Sequence, residues 1–228
     1  ILKLISCLEE KHEKIYISKI QVSHLEDQKL SFSQERLWFI EKYESGTNAY
    51  HIPLVFKISE GTNLDALKFS IRGLVQRHEV LRTLIKEDGS GNAYQYVLDI
   101  QVNPLEISML SVINALELEK RIQKTIMEVF DLSREYPIRV IIYEVVEESS
   151  HKEYYLSVLI HHIAFDGWSA DIFLKELQEY YQYYLDRSNE KTLVLNFPEL
   201  KIQYKDFALW QREYLTGETF ESQLKFCK

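Results

Sequence analysis

Two apolar runs of strand length, 138–146 and 154–161, sit side by side in the second half of the chain, joined only through polar 147–152. Runs of eight or nine residues rich in Val, Ile, Leu and Tyr are too short for buried helices and have the length and composition of strands. Their short connection pairs them antiparallel. Such continuous apolar character marks them as central strands, covered on both faces. A chain with this pair at its centre needs further strands beside it and helices over it, which makes it α/β (α+β) with a mixed sheet and flanking helices.

The remaining segments supply those parts. Ser31 and Gln34 have the S-x-x-Q spacing of a capping box ahead of Leu37, Trp38, Ile40 and Tyr43, which predicts a helix of about three turns. Ile52, Leu54, Phe56 and Ile58 alternate with polar or exposed partners, and Pro53 puts that strand at a sheet edge or strand start. Asn63 caps a helix carrying Leu64, Leu67, Ile71, Leu74 and Val75 at spacings of three and four. Gly89-Ser90-Gly91 lies in a turn between two short strands and is not a phosphate cradle. A short strand past Pro104, a helix over 116–129, a long aromatic helix through Phe173, Leu177, Tyr180, Tyr181 and Tyr184, and a helix over 204–215 complete the list. Residues 1–28 are charge-rich without a sustained period and are expected to form a linker or boundary segment, leaving 29–228 as one folded unit.

Charge and composition exclude several functions. The 228 residues carry 27 Lys and Arg against 35 Asp and Glu, a formal charge of −8, whereas a chain that grips phosphate backbones is basic over at least one face. Nucleic acid is therefore not an expected partner. No apolar stretch approaches the ~20 residues that span a bilayer, so no membrane partner is expected either. Cys7 and Cys227 are the only cysteines and cannot form a disulfide framework, and no charged-then-apolar leader opens the chain. A cytoplasmic location is the expectation.

Ionisable groups gather at the end of the second apolar run, in His161-His162-Ile163-Ala164-Phe165-Asp166-Gly167-Trp168-Ser169, between a strand and a helix. Successive strand side chains point to opposite faces, so His161 and His162 do not both face one ligand: one is available for chemistry and the other for packing or a hydrogen bond. That geometry, and the lack of a nearby Cys, argue against a metal site. A serine triad lacks its G-x-S-x-G elbow, and Ser169 falls where a helix N-cap is expected. A neutral histidine can accept a proton from an attacking amine or hydroxyl, which suffices when the acyl group is already activated. Asp166, if buried, requires a cationic partner. Gly167 serves the turn from strand to helix, the close approach of a substrate, or both.

The arrangement His161-His162-x-x-x-Asp166-Gly167, with Trp168-Ser169 after it, resembles the signature of the condensation domains of nonribosomal peptide synthetases, in the chloramphenicol-acetyltransferase-like superfamily. Leu30 through Phe39 (LSFSQERLWF) resembles the family's opening motif, Arg77 through Thr83 (RHEVLRT) its second, and Tyr204-x-Asp206-Phe207-Ala208-x-Trp210-Gln211 the one after the histidine signature. The histidine signature alone is shared with several acyltransferase relatives, whereas four motifs in family order are specific.

The resemblance implies that His162, the second histidine, stands at the active centre as base or as positioner of the amine. It implies that Asp166 is structural and salt-bridged to Arg77, with Arg82 the other arginine available, and that Gly167, Trp168 and Ser169 border the substrate channel. The implied reaction is attack of an acceptor aminoacyl amine on a donor acyl or peptidyl thioester. Both substrates are delivered on the phosphopantetheine arms of donor and acceptor carrier proteins, beside an adenylation domain, with no metal or cofactor bound by the domain itself. Family members have two similar lobes with the channel between them, so this chain corresponds to the N-terminal lobe and lacks the C-terminal one. An epimerisation domain of the same fold, or a non-catalytic lobe that docks carrier proteins, are the alternatives. Trp168-Ser169 favours condensation over epimerisation, and Tyr180, Tyr181, Tyr183 and Tyr184 are either a docking surface or a core stripe.

Overall fold

The computed structural model describes residues 19–22, 28–44, 46–146, 152–188, 195 and 197–217. Cys7, Cys227, most of the 1–28 segment and nearly all of the 147–152 connection lie outside the described residues.

Helix α1 (Phe32–Tyr43) starts where the capping box puts it: Ser31 Oγ accepts from the Gln34 amide and Gln34 Oε1 accepts from the Ser31 amide. Strand β1 (His51–Ile58) leads into α2 (Leu64–Arg77), whose first amides at Asp65 and Ala66 donate to the Asn63 side chain. A 3₁₀ turn (Glu79–Arg82) runs into the hairpin of β2 (Thr83–Glu87) and β3 (Ala93–Val97). Then follow β4 (Ile107–Val112), α3 (Ala115–Met127), β5 (Ile138–Val146), β6 (Lys152–His161), α4 (Gly167–Ser188) and α5 (Tyr204–Tyr214).

The main sheet has the order β1-β6-β5-β4, antiparallel except for the parallel β4–β5 pair, so it is mixed, with the two apolar runs at its centre. Pro53 lies on β1, an edge strand, where its missing N–H breaks no ladder. Alternation along the strands divides the core. Val140 and Ile142 of β5 and Leu156, Val158 and Ile160 of β6 pack under Leu67, Ile71, Leu74 and Val75 of α2 and Phe173 of α4. The opposite face of β6 carries Leu159, which meets Leu37 of α1 together with Phe130 and Leu132, while Tyr143 and Val145 of β5 pack on Leu118 of α3.

Helices α2 and α4 approach so closely that a Cβ at Gly73 would lie 2.6 Å from the Tyr180 ring. Tyr180 and Tyr181 pack on the core, and Phe69 contacts the rings of Tyr180, Tyr183 and Tyr184. The tyrosine stripe is thus part of the α2–α4 interface. Next to the hairpin, the Gln28 carbonyl accepts from the Gln95 amide at 2.6 Å and Lys29 bridges Tyr94. Among the described residues no helix is long and apolar enough to cross a membrane.

Candidate active site

The period of two along β6 is carried one residue past the strand. His161 faces the α1 side and is fully buried, His162 projects into solvent, and Ile163 is buried again. Backbone bonds pin this stretch: the His161 amide donates to the Pro137 carbonyl, the His162 amide to the Tyr50 carbonyl at 2.9 Å, and the Ala164 amide to the His161 carbonyl at 3.0 Å. Ile163 and Phe165, each 6% exposed, anchor the loop in two different core clusters. The His162 imidazole therefore stands on a fixed backbone with its ring exposed, and among the described residues no hydrogen bond engages that ring.

His161 is fully engaged. Its Nδ1 accepts from the Ile163 amide at 3.1 Å, so the ring proton is on Nε2, which donates to Glu41 Oε1 at 3.0 Å. Glu41, itself 6% exposed, uses Oε2 to accept from the Thr47 amide at 3.2 Å. His51, opposite His161 in the β1–β6 register, brings its ring within 6.0 Å of the His161 ring and 5.0 Å of Phe130. Its Nδ1–H donates to the Ile126 carbonyl at 2.6 Å, while Nε2 is buried without a partner among the described residues. Burial holds the His51 pKa below the ordinary imidazole value, partly offset by the bond to Ile126.

Sequence reasoning missed Glu41 and His51. A signal for Glu41 existed: it falls in register with Gln34 and Leu37 on the buried stripe of α1, and an acid on such a stripe needs a buried donor.

Asp166 has a different partner from the expected one. Its carboxylate accepts from the Ser169 amide at 2.9 Å and from Ser169 Oγ at 2.7 Å, and the Ser169 hydroxyl lies 3.3 Å from the Asp166 amide. Asp166 is thus the N-cap of α4, and Ser169 sits at the third helical position, not at the cap. The hydrogen bond from the Ser169 hydroxyl is the main cause that holds the Asp166 carboxyl below the usual range. An exposed carboxylate with these donors needs no cation. Arg77 pairs instead with Glu176 of α4 at 3.1 Å and lies over Phe197, and His78 bonds the other Glu176 oxygen. Arg82 binds the Leu98 carbonyl and lies 3.6 Å from Glu79. Neither arginine meets Asp166.

Gly167 has neither a positive φ nor a neighbour within 4 Å of where a Cβ would stand, so the turn does not require it and the space beside it is open. Trp168, 84% exposed, follows it on the same surface.

The other motif segments converge as scaffolding. Ser31 Oγ lies 3.0 Å from the Tyr204 hydroxyl, the Phe32 amide donates to Gln211 Oε1 at 3.0 Å, and Gln203 bridges the Arg77 carbonyl and the Glu79 amide. Helix α5 thereby ties the start of α1 to the end of α2. Among the described residues no group of three or more His, Cys, Asp or Glu is arranged to hold a metal ion.

The family model described as "Condensation domain" matches residues 25–227. The chain belongs to the condensation-domain family. This condensation-domain chain is 39% identical over 198 residues to N-(5-amino-5-carboxypentanoyl)-L-cysteinyl-D-valine synthase of Amycolatopsis lactamdurans, a match that covers 86% of the chain and 5% of that synthase. It is 33% identical over 198 residues to the nonribosomal peptide synthetase TES of Alternaria alternata, covering 86% of the chain and 4% of that synthetase. Among solved structures, the X-domain from teicoplanin biosynthesis aligns with a TM-score of 0.77 at 25% identity, over 92% of this chain and 44% of that one. The first condensation domain of the CDA synthetase aligns with a TM-score of 0.68 at 15% identity, over 87% and 49%, a likeness of fold. The chain therefore spans a few per cent of these curated relatives and less than half of these solved chains, about half a domain.

Proposed function

We propose that this condensation-domain chain takes part in amide-bond formation between a donor acyl or peptidyl thioester and the amino group of an acceptor aminoacyl thioester, with His162 at the reacting amine. The amine nitrogen attacks the thioester carbon, the C–S bond breaks, and the nitrogen's proton leaves through the imidazole to the departing thiolate. The observation that carries the reading is the exposed, unengaged imidazole of His162 on a backbone pinned by His161, Tyr50 and two buried anchors. A base must be positioned yet open to its substrate, and that is the arrangement here.

Gly167 and Trp168 border the same opening, and bare space at Gly167 suits the close approach of a thioester arm. Phosphopantetheine arrives as part of the substrate, carried by donor and acceptor carrier proteins, next to an adenylation domain. The second lobe of the family supplies the other wall of the channel, and the reaction runs in the cytoplasm.

The test joins the chain to a second lobe and follows transfer from a loaded donor carrier to a loaded acceptor carrier by intact-protein mass. His162→Ala is expected to slow transfer about 100-fold or more without lowering the melting temperature, because its side chain is exposed. An unchanged rate overturns the reading. Carrier binding with no transfer by the unaltered protein would instead favour a docking role. That second reading has support in one structural relative, with a TM-score of 0.73 and 25% identity, whose structure is a complex of the X-domain with OxyB.

A further inference from the structure

The buried pair of Glu41 and His161 costs the core something that an apolar pair would not. A carboxylate at 6% exposure and an imidazole at 0% both lose water, and only the bonds they make offset that loss. Those bonds converge on Glu41: Thr47 N–H donates to Glu41 Oε2, His161 Nε2–H donates to Glu41 Oε1, and Ile163 N–H donates to His161 Nδ1. We infer that Glu41 is a positioning residue for His162, acting through the tautomer of His161. For its effect on rate the inference rests on the function proposed above; for its effect on His161 it rests on geometry alone.

An ionised carboxylate only accepts hydrogen bonds, so a ring nitrogen facing Glu41 must be the protonated one. Nδ1 is left bare, which is the form the Ile163 amide needs. With the proton on Nδ1, two donors would face each other at 3.1 Å and the Ile163 amide would be a buried donor without an acceptor. His162 lies between the two pinned points. Its own amide is fixed to the Tyr50 carbonyl, next to His51 in β1, and the following amide is fixed by the His161 ring. Loss of the second point loosens the 162–163 peptide, still held by the Ile163 side chain and the Ala164 amide, and shifts the direction of the His162 side chain. The alternation of β6 and the stripe on α1 bring the two partners together across 120 residues, from the helix that carries the first motif to the strand that ends in the histidine signature.

Glutamine is the discriminating substitution because it keeps the size and removes the rule. Its side-chain nitrogen must face either the Thr47 amide or His161, so the carboxylate's demand for a proton on Nε2 is lost. The experiment uses the two-lobed protein with ¹⁵N-labelled histidine, read by long-range ¹H–¹⁵N correlation, alongside the carrier-to-carrier transfer assay, for the unaltered protein, Glu41→Gln and His162→Ala. The expected result is a His161 ring protonated on Nε2 in the unaltered protein and a shift towards the Nδ1–H form in Glu41→Gln. Transfer at saturating carriers should be about 10- to 100-fold slower in Glu41→Gln, with the KM for acceptor carrier unchanged.

A His161 ring protonated on Nδ1 in the unaltered protein overturns the inference, and this arm needs no variant to fold. It is also overturned if the tautomer shifts without loss of rate, or if rate is lost with the tautomer intact. Full transfer by His162→Ala overturns the amide-forming reading, whereas the ring spectra alone decide the link between Glu41 and His161.

Discussion

At the residue scale, the surroundings of His51 oppose its charged form. Its ring lies between Phe130 and His161, Nε2 is buried without a partner among the described residues, and a proton there would add a charge with little water to solvate it. Burial lowers its pKa in the folded chain, and unfolding returns it to the ordinary value of about 6.5. Between those two values the unfolded chain binds more protons than the folded one, so stability rises with pH through that window and is lost as pH falls below it. Urea midpoints measured between about pH 5 and pH 8 should climb, and the climb should be smaller in His51→Gln. An equal slope in that variant would assign the effect to other groups.

At the element scale, the start of α4 and its packing on α2 give two predictions. Asp166 satisfies the Ser169 amide and holds the serine hydroxyl, so Asp166→Ala should cost about 1 kcal/mol of stability and Asp166→Asn much less, read by thermal unfolding. Because the native carboxyl pKa is lowered, the cap contributes above the usual carboxylate range and fades as pH falls through it. Where α2 meets α4, a methyl group at Gly73 would enter the Tyr180 ring, which is itself packed against Phe197 at 5.0 Å and cannot swing away freely. Gly73→Ala should destabilise by about 1–3 kcal/mol, and Tyr180→Leu in the same chain should recover part of it, which a double-mutant cycle on unfolding free energies measures.

At the scale of the whole molecule, stability is concentrated where α2 lies on β5 and β6. Ile71, Leu74, Ile142, Val158 and Ile160 are fully buried in one cluster with α2 above and the sheet below. Ile142→Ala should therefore cost about 2–5 kcal/mol, seen as a lower urea midpoint with unchanged slope. The same layer carries the site, because the strand that fills the core with its even-numbered residues sends its last residue, His161, to the other face and is followed at once by His162. A cavity under β6 should also slow transfer in the two-lobed protein by loosening that strand end, and a stable variant with full rate would separate core from site.

The order of elements, the caps at Ser31 and Asn63, the central pair of strands and the opposed directions of His161 and His162 were all legible in the residues, because each depends on local periodicity or on neighbours three or four positions away. The partners of the charged groups were not. Asp166 turned to Ser169, Arg77 to Glu176 and His161 to Glu41, and two of these three pairings join residues 99 and 120 positions apart, a separation at which no spacing rule operates. The tyrosines of α4 had the pattern of either a surface or a core, and only the packing against α2 placed Tyr180 and Tyr181 on the core. Sequence by itself determined which residues lie on a common face of each element; tertiary structure decided which faces meet, because that choice depends on how the sheet and helices fill space together.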